Sequence, residues 1–354
     1  MNIRRFQIIT LNTCLFGFFF LICFGFGYAT LNRYDPGGLS FLSDYSQILY
    51  VIENGLTKNV HSEQLTTRII VPYLAHLIYS NITELGSWNL ASFAMLITSA
   101  TFTSLTAVVI FNFANHLSTD VGKSVLASFL FITSFFTVNY TLVTTVDSAY
   151  IFFLSTYLIA LHFEKGPWIV PIMILGCMTK EAFLPVASSF SLGFIFYSYL
   201  KSQVRINMLL PQVVAVISGL STLILLDYLV KGKLLLPWDN LIAISSSNFN
   251  HPSTVDGDSN AIIESIRVIF SIGPLLVLTL MSLSKLPESL IWPGIFASIM
   301  VIVLGSMIGV GAIDYARFIF SVTAPVVCFA SANSIIGVIK SSERANQNCQ
   351  KSDV

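Results

Sequence analysis

Residues 7–29 read QIITLNTCLFGFFFLICFGFGYA, an apolar run that contains no charged side chain. A helix of about 20 apolar residues spans the hydrocarbon core of a bilayer. The apolar core of a secretory signal is shorter, at about 7–15 residues. Because the run follows Arg4 and Arg5 and exceeds that length, we predict an uncleaved first transmembrane helix.

Further apolar runs follow along the rest of the chain. Only 10% of the residues are charged and 55% are hydrophobic, with a mean hydropathy of +0.78, whereas a soluble domain carries about 25% charged residues. We therefore predict an all-α polytopic membrane protein with about ten transmembrane helices, forming a single domain over 1–340 with a tail over 341–354. The later runs cover 88–113, 124–142, 148–163, 167–180, 182–200, 208–230, 263–283, 288–311 and 315–338.

Two hydrophilic stretches, 30–87 and 231–262, interrupt this pattern and are predicted to be outer loops. The first contains apolar residues at helical spacing, which predicts a short amphipathic helix at the membrane surface, with Ser43 as its N-cap. A second apolar stretch, 66–79, is too short for a span and is predicted to lie at the interface without crossing. The apolar residues of the first helix are Tyr45, Ile48, Leu49 and Ile52.

The distribution of charge along the chain predicts its orientation. With the N-terminus inside, ten of the 18 Lys and Arg residues fall on the inner side, against five of the 18 Asp and Glu residues. Lys and Arg accumulate in cytoplasmic loops of membrane proteins, so we expect both termini in the cytoplasm. A crossing by residues 66–80 would reverse every later loop and remove this agreement.

In this topology, charged residues at the ends of apolar runs gather on the outer side. Ionisable side chains in or beside membrane spans are costly, and they usually pair with one another or serve a site. Cations suit a phosphate or diphosphate, and a carboxylate among them can act as a general base toward a hydroxyl. The candidate site residues are Asp44, Arg68, Asp147, Lys180, Glu181, Asp314 and Arg317.

The arrangement resembles the GT-C superfamily of membrane glycosyltransferases, which use polyprenyl-phosphate-linked sugars as donors. In that family a large outer loop with amphipathic helices follows the first helix and carries a catalytic acid. The similar stretch here is Ser43-Asp44-Tyr45, followed by Arg68-Ile-Ile-Val-Pro72. The resemblance in topology covers nearly the whole chain.

Two later stretches carry the same resemblance. Met178-Thr-Lys-Glu181 is similar to a basic-acidic pair that follows the short fifth helix in related bacterial proteins. Asp314-Tyr-Ala-Arg317 is similar to the polar start of a late helix in the same group. One departure is that Asp35 and Asp44 lie nine residues apart instead of forming an adjacent acidic pair. No cofactor follows from the sequence, no residue is assigned to a metal, and the use of a divalent metal stays open.

The resemblance implies an inverting sugar transfer on the extracytoplasmic face of a bacterial inner or plasma membrane. A lipid-phosphate sugar would enter from the outer leaflet, and Arg68, Lys180 and Arg317 would hold its phosphate. Asp44 would take a proton from the acceptor hydroxyl, while Asp147 and Asp314 would orient the cations or contact the sugar. The implied partners are a lipid-linked sugar donor, membrane lipids and a glycan, lipid or protein acceptor. A net charge of zero gives no reason to expect nucleic acid.

Other interpretations of the same residues stay open. Asp44 or Asp147 could serve only a helix N-terminus, Arg68 could extend to the interface, and Lys180-Glu181 could be a polar turn. Asp314 and Arg317, three residues apart, could simply pair with each other. One alternative function is that of a transporter or flippase for a lipid-linked or anionic solute. Such proteins more often show internal repeats and broken helices near the midplane of the membrane. A polysaccharide polymerase or ligase of similar topology would share the donor class. A scaffolding protein would not need facing cations and acids at one membrane level.

Overall fold

The computed structural model describes residues 3–33, 45–55, 68–83, 89–142, 146–202, 206–231, 261–308 and 312–352. Within these ranges the chain forms twelve α-helices and no strand. The helices are α1 (Ile3–Arg33), α2 (Tyr45–Asn54), α3 (Ile70–Tyr79), α4 (Leu90–Ser118), α5 (Val121–Ile132), α6 (Asp147–His162), α7 (Gly166–Cys177), α8 (Phe183–Leu200), α9 (Ile206–Lys231), α10 (Ala261–Ser282), α11 (Glu288–Ile308) and α12 (Ala312–Ser352).

Seven helices of the described ranges, α1, α4 and α8–α12, are long and apolar enough to cross a membrane. The chain is therefore an all-helical integral membrane protein, as its composition predicts. The other predicted spans correspond to α5, α6 and α7, which have 12, 16 and 12 residues. Because these helices are shorter than the usual length of a span, the count of about ten stays a prediction.

The run predicted over 124–142 is not one continuous helix. Helix α5 ends at Ile132, and a π-helical turn over Thr137–Thr141 follows it. Between them, the Ser134 hydroxyl accepts a hydrogen bond from the Thr137 backbone N–H at 3.2 Å and pairs with the Thr137 hydroxyl at 2.8 Å. Such side-chain bonds compete with the regular helical ladder, which explains the interruption.

Helices α2 and α3 form a pair that also reaches the central helix α4. Helix α2 buries Ile48, Val51 and Ile52, and the His76 ring of α3 hydrogen-bonds to the Ile52 carbonyl through Nδ1 at 2.7 Å. With ten residues, α3 is about 15 Å long and cannot cross a core of about 30 Å by itself. The position of both helices at the membrane surface stays a prediction. Ser43, Asp44 and most of the predicted second outer loop lie outside the described residues.

Helix α4 packs against α1, α3, α5 and α6 and is the most enclosed of the seven long helices. It begins where the Asn89 side chain accepts a hydrogen bond from the Ser92 N–H at 2.9 Å. Four of its buried hydroxyl side chains donate to carbonyls one turn earlier, which satisfies them within the helix. These side chains are Thr98, Thr103, Ser104 and Thr106.

Small residues set the closest contacts between helices. Helix α8 approaches α11 so tightly at Gly193 that a Cβ there would lie 2.6 Å from Pro293 Cα and 2.7 Å from the Trp292 carbonyl oxygen. Only glycine fits this crossing. Helix α6 in turn packs against α4, α7, α8 and α12, so its first turn lies among the ends of several helices.

Large apolar side chains remain exposed on the outside of the bundle. On α10, for example, Ile269 is 62% and Phe270 is 79% exposed, and on α9 Leu210 is 61% exposed. Exposed apolar area on this scale is rare in a soluble monomer. Lipid chains can cover it, because the helices satisfy their own backbone hydrogen bonds.

Candidate functional site

Six charged side chains come together at one end of the bundle. We call this cluster of side chains the charge network. Helix α6 begins at this end, the α7–α8 turn passes beside it, and the first turn of α12 and the residues before α3 complete it. Acidic residues at the first turns of α6 and α12 also suit the positive ends of those helix dipoles. The members are Arg68, Asp147, Lys180, Glu181, Asp314 and Arg317.

Asp147 lies at the centre of the charge network. Its side chain is only 7% exposed, and its Oδ1 accepts a hydrogen bond from Lys180 Nζ at 2.9 Å. Arg317 Nε lies 3.9 Å from Asp147 Oδ2. A buried carboxylate is tolerated only where cations compensate it, and here one carboxylate serves two of them.

Arg68 and Glu181 form a bidentate ion pair in the same network. Arg68 Nη2 lies 2.6 Å from Glu181 Oε1, and Arg68 Nε donates to Oε2 at 3.1 Å. The planar guanidinium matches a carboxylate in this geometry. The backbone N–H groups of Ile69 and Ile70 also donate to the Met178 carbonyl at 2.9 and 3.2 Å, so the start of α3 is fixed to the α7–α8 turn.

The Glu181 carboxylate, which lies in the α7–α8 turn outside the spanning helices, is ionised at neutral pH. Burial by itself raises its pKa, but the charge of Arg68, the hydrogen bonds from Arg68 and the charge of Lys180 outweigh that effect. The pKa therefore lies at about 2. The Arg68–Glu181 pair thus carries full charges under physiological conditions.

Arg317 is held by groups that leave part of it available. Its Nη2 lies 3.3 Å from Asp314 Oδ1 one turn earlier on α12, a spacing that favours such pairs. Within the described part of the chain, Arg317 Nε is buried and has no hydrogen-bond acceptor. An unmet buried donor is costly, and it offers one hydrogen bond to an incoming anion.

Aromatic rings cover the two inner cations. Lys180 Nζ lies 5.3 Å from the centre of the Tyr150 ring and 4.8 Å from that of Phe318. Arg317 Cζ lies 5.0 Å from the centre of the Tyr140 ring and 4.7 Å from that of Phe318. A ring face attracts a cation electrostatically, so these contacts stabilise both cations in a largely buried site.

Exposure increases from the centre of the charge network to its edge. The side chains of Arg68 and Lys180 are 11% and 12% exposed, whereas those of Glu181 and Asp314 are 42% and 34% exposed. The three cations and three carboxylates sum to zero charge. Because Glu181 and Asp314 are the more exposed members, a ligand anion that reaches the cations from their side has to displace these carboxylates from Arg68 and Arg317.

The structure brings together all of the sequence-predicted site residues that it describes. Asp44 lies outside the described residues, so the structure gives no place for it. The sequence reasoning missed the rings of Tyr140, Tyr150 and Phe318. The sequence positions of two of these rings could have indicated them. Phe318 follows Arg317 directly, and Tyr150 lies one helical turn after Asp147.

No group of three or more His, Cys, Asp or Glu side chains with ligand geometry occurs in the described ranges. The carboxylates of the charge network are each paired with a cation.

Comparison with known proteins gives no relative from which a function could be carried over. No protein-family model matches the chain, and no curated protein matches it at a significant level. The fold and the site therefore define its class: an all-helical integral membrane protein with a buried charge network at one end of its bundle. The function must be inferred from that network.

Proposed function

We propose that this chain is a membrane glycosyltransferase of GT-C type that uses a polyprenyl-phosphate sugar as donor. The observation that carries the proposal is the clustering of Arg68, Lys180 and Arg317 with Asp147 and Glu181 at one end of an apolar bundle. A lipid-linked phosphate combines an anionic head with an apolar tail. The head would bind the cations, and the tail would lie against the apolar bundle. The acceptor is a glycan, a lipid or a protein on the extracytoplasmic side.

The donor phosphate would replace the outer carboxylates as partner of the cations. Glu181 and Asp314 are the more exposed acids of the charge network, and Arg317 Nε still has a hydrogen bond to give among the described groups. Asp147 is enclosed, with its side chain 7% exposed, and would stay in place to hold Lys180 and Arg317. The phosphate would thus meet cations that are already oriented.

In the reaction, the acceptor hydroxyl attacks the anomeric carbon as the bond from that carbon to the phosphate oxygen breaks. The configuration at the carbon inverts, and the electron pair leaves with the polyprenyl phosphate. Arg68, Lys180 and Arg317 stabilise the negative charge that grows on this leaving group. Asp44, the residue directly before α2, receives the proton of the hydroxyl. Helix α2 contacts α3, whose start is fixed to the α7–α8 turn.

The test is the release of free polyprenyl phosphate from a panel of lipid-phosphate sugars and candidate acceptors, using purified protein in nanodiscs. We expect wild type to release polyprenyl phosphate from at least one donor, and Asp44→Asn to release it at least about 100-fold more slowly. Equal release by both proteins would keep the transferase and remove Asp44 as its base. Tight binding of donors without release would instead favour the transporter or flippase.

A further inference from the structure

The cations and rings of the charge network alternate in one continuous series. Lys180 lies between Tyr150 and Phe318, and Arg317 lies between Phe318 and Tyr140. Within the described residues, Phe318 is the one ring that contacts both cations. It is half-buried and lies one helical turn after Asp314 on α12.

The chemistry of this shared ring differs from that of the carboxylates. Asp147 neutralises one positive charge, although it serves both Lys180 and Arg317. A ring face attracts a cation without cancelling its charge. When an anionic ligand arrives, a carboxylate partner repels it, whereas the ring does not. Phe318 can therefore keep its contacts with both cations while they also bind the ligand.

We infer that Phe318 is a positioning residue for a lipid-linked phosphate: its ring holds Lys180 and Arg317 at the spacing that the phosphate requires. This inference rests on the proposed donor class. It adds a residue that acts through the two cations and does not touch the reacting atoms. A ring is required for this role, so a side chain of similar bulk without a π-face is not sufficient.

A role in packing alone predicts a different pattern. Leucine retains apolar bulk at position 318 but has no ring face, whereas tyrosine retains the ring face. A packing defect would weaken the binding of charged and uncharged lipids alike, because it would disturb the whole site. Loss of the cation contacts would weaken the binding of the anionic lipid only. The comparison of a polyprenyl phosphate with the matching uncharged polyprenol therefore separates the two roles.

The experiment measures equilibrium binding of polyprenyl phosphate and of polyprenol to full-length protein in nanodiscs. We expect Phe318→Leu to weaken binding of polyprenyl phosphate on the order of tenfold, with polyprenol binding unchanged. Phe318→Tyr should stay within about threefold of wild type for both lipids. The control is Phe296→Leu, since Phe296 is also half-buried and contacts the ring of Phe196 at 5.6 Å; it should leave both affinities unchanged.

The outcomes separate this inference from the transferase. Wild-type affinity in Phe318→Leu, or an equal loss for polyprenol, would overturn the positioning role while donor release by wild type still supported the transferase. Selective loss for polyprenyl phosphate in a protein that releases none from any donor would support the positioning role and contradict the transferase. Wild type that binds no polyprenyl phosphate would overturn the inference itself.

Discussion

At the scale of single residues, Asp147 stabilises the two buried cations of the charge network. Asp147→Ala would leave Lys180 and Arg317 without the carboxylate that serves both of them. Removing one partner of a buried ion pair costs about 3–5 kcal/mol. We therefore expect the free energy of unfolding to fall by an amount of that order. Unfolding in mixed detergent micelles, followed by far-UV circular dichroism, measures it.

The control for this prediction is an exposed ion pair in another part of the chain. Lys201 and Glu288 lie 3.0 Å apart, with their side chains 44% and 55% exposed. Exposed pairs contribute about 0–1 kcal/mol, so Glu288→Ala should have a small effect. Similar losses in Asp147→Ala and Glu288→Ala would show that the network does not depend on Asp147.

The pKa of Glu181 predicts how the stability of the folded protein depends on pH. Its pKa falls from an ordinary 4.5 to about 2 in the folded protein. A lowered pKa stabilises the folded state fully above the unfolded value, and this contribution is lost as the pH falls toward the folded value. The stability difference between wild type and Glu181→Gln should therefore be constant above about pH 5 and should shrink between about pH 4.5 and pH 2. A difference that grows on acidification would contradict the assignment.

The sequence indicated the six members of the charge network because charge within or beside apolar runs is rare and conspicuous. The aromatic members could not be separated in the same way, since the chain holds 29 Phe and 13 Tyr residues. The pairing of Arg68 with Glu181 was also beyond the sequence. It joins residues 113 positions apart through the docking of α3 on the α7–α8 turn.

At the scale of helices, the crossing of α8 and α11 depends on Gly193. A methyl group there would press against the backbone of Pro293, which cannot move aside as a flexible side chain would. We expect Gly193→Ala to destabilise the protein by about 1–3 kcal/mol, measured by thermal unfolding in detergent. Gly294→Ala is the matched control, because a Cβ at Gly294 meets nothing within 4 Å. Equal stability of the two variants would contradict this packing.

Hydropathy predicted the long helices well, because length and apolar composition are properties of a local stretch. It failed at the interruption after Ile132, where Ser134 and Thr137 form side-chain hydrogen bonds that hydropathy does not register. The spacing of apolar residues indicated the helix now described as α2. Its position relative to the bilayer depends on the membrane itself and remains a prediction.

At the scale of the whole molecule, the charge distribution predicts that the turn after α3 faces outward and the end of α12 faces the cytoplasm. Thr83 and Ser341 are exposed at these two places. In a background without the five native cysteines, Thr83→Cys should react with a membrane-impermeant maleimide in intact cells. Ser341→Cys should react only after permeabilisation. The reverse pattern would place the charge network on the cytoplasmic side.

The most direct test of the central claim is the initial rate of polyprenyl phosphate release from a lipid-phosphate sugar in nanodiscs. Wild type, Lys180→Gln and Lys201→Gln are compared, since Lys180 lies in the charge network and Lys201 pairs with exposed Glu288. We predict that Lys180→Gln releases polyprenyl phosphate about 100-fold more slowly than wild type, while Lys201→Gln keeps the wild-type rate. Release by Lys180→Gln at the wild-type rate, or an equal fall in both variants, would contradict a role of the charge network in sugar transfer.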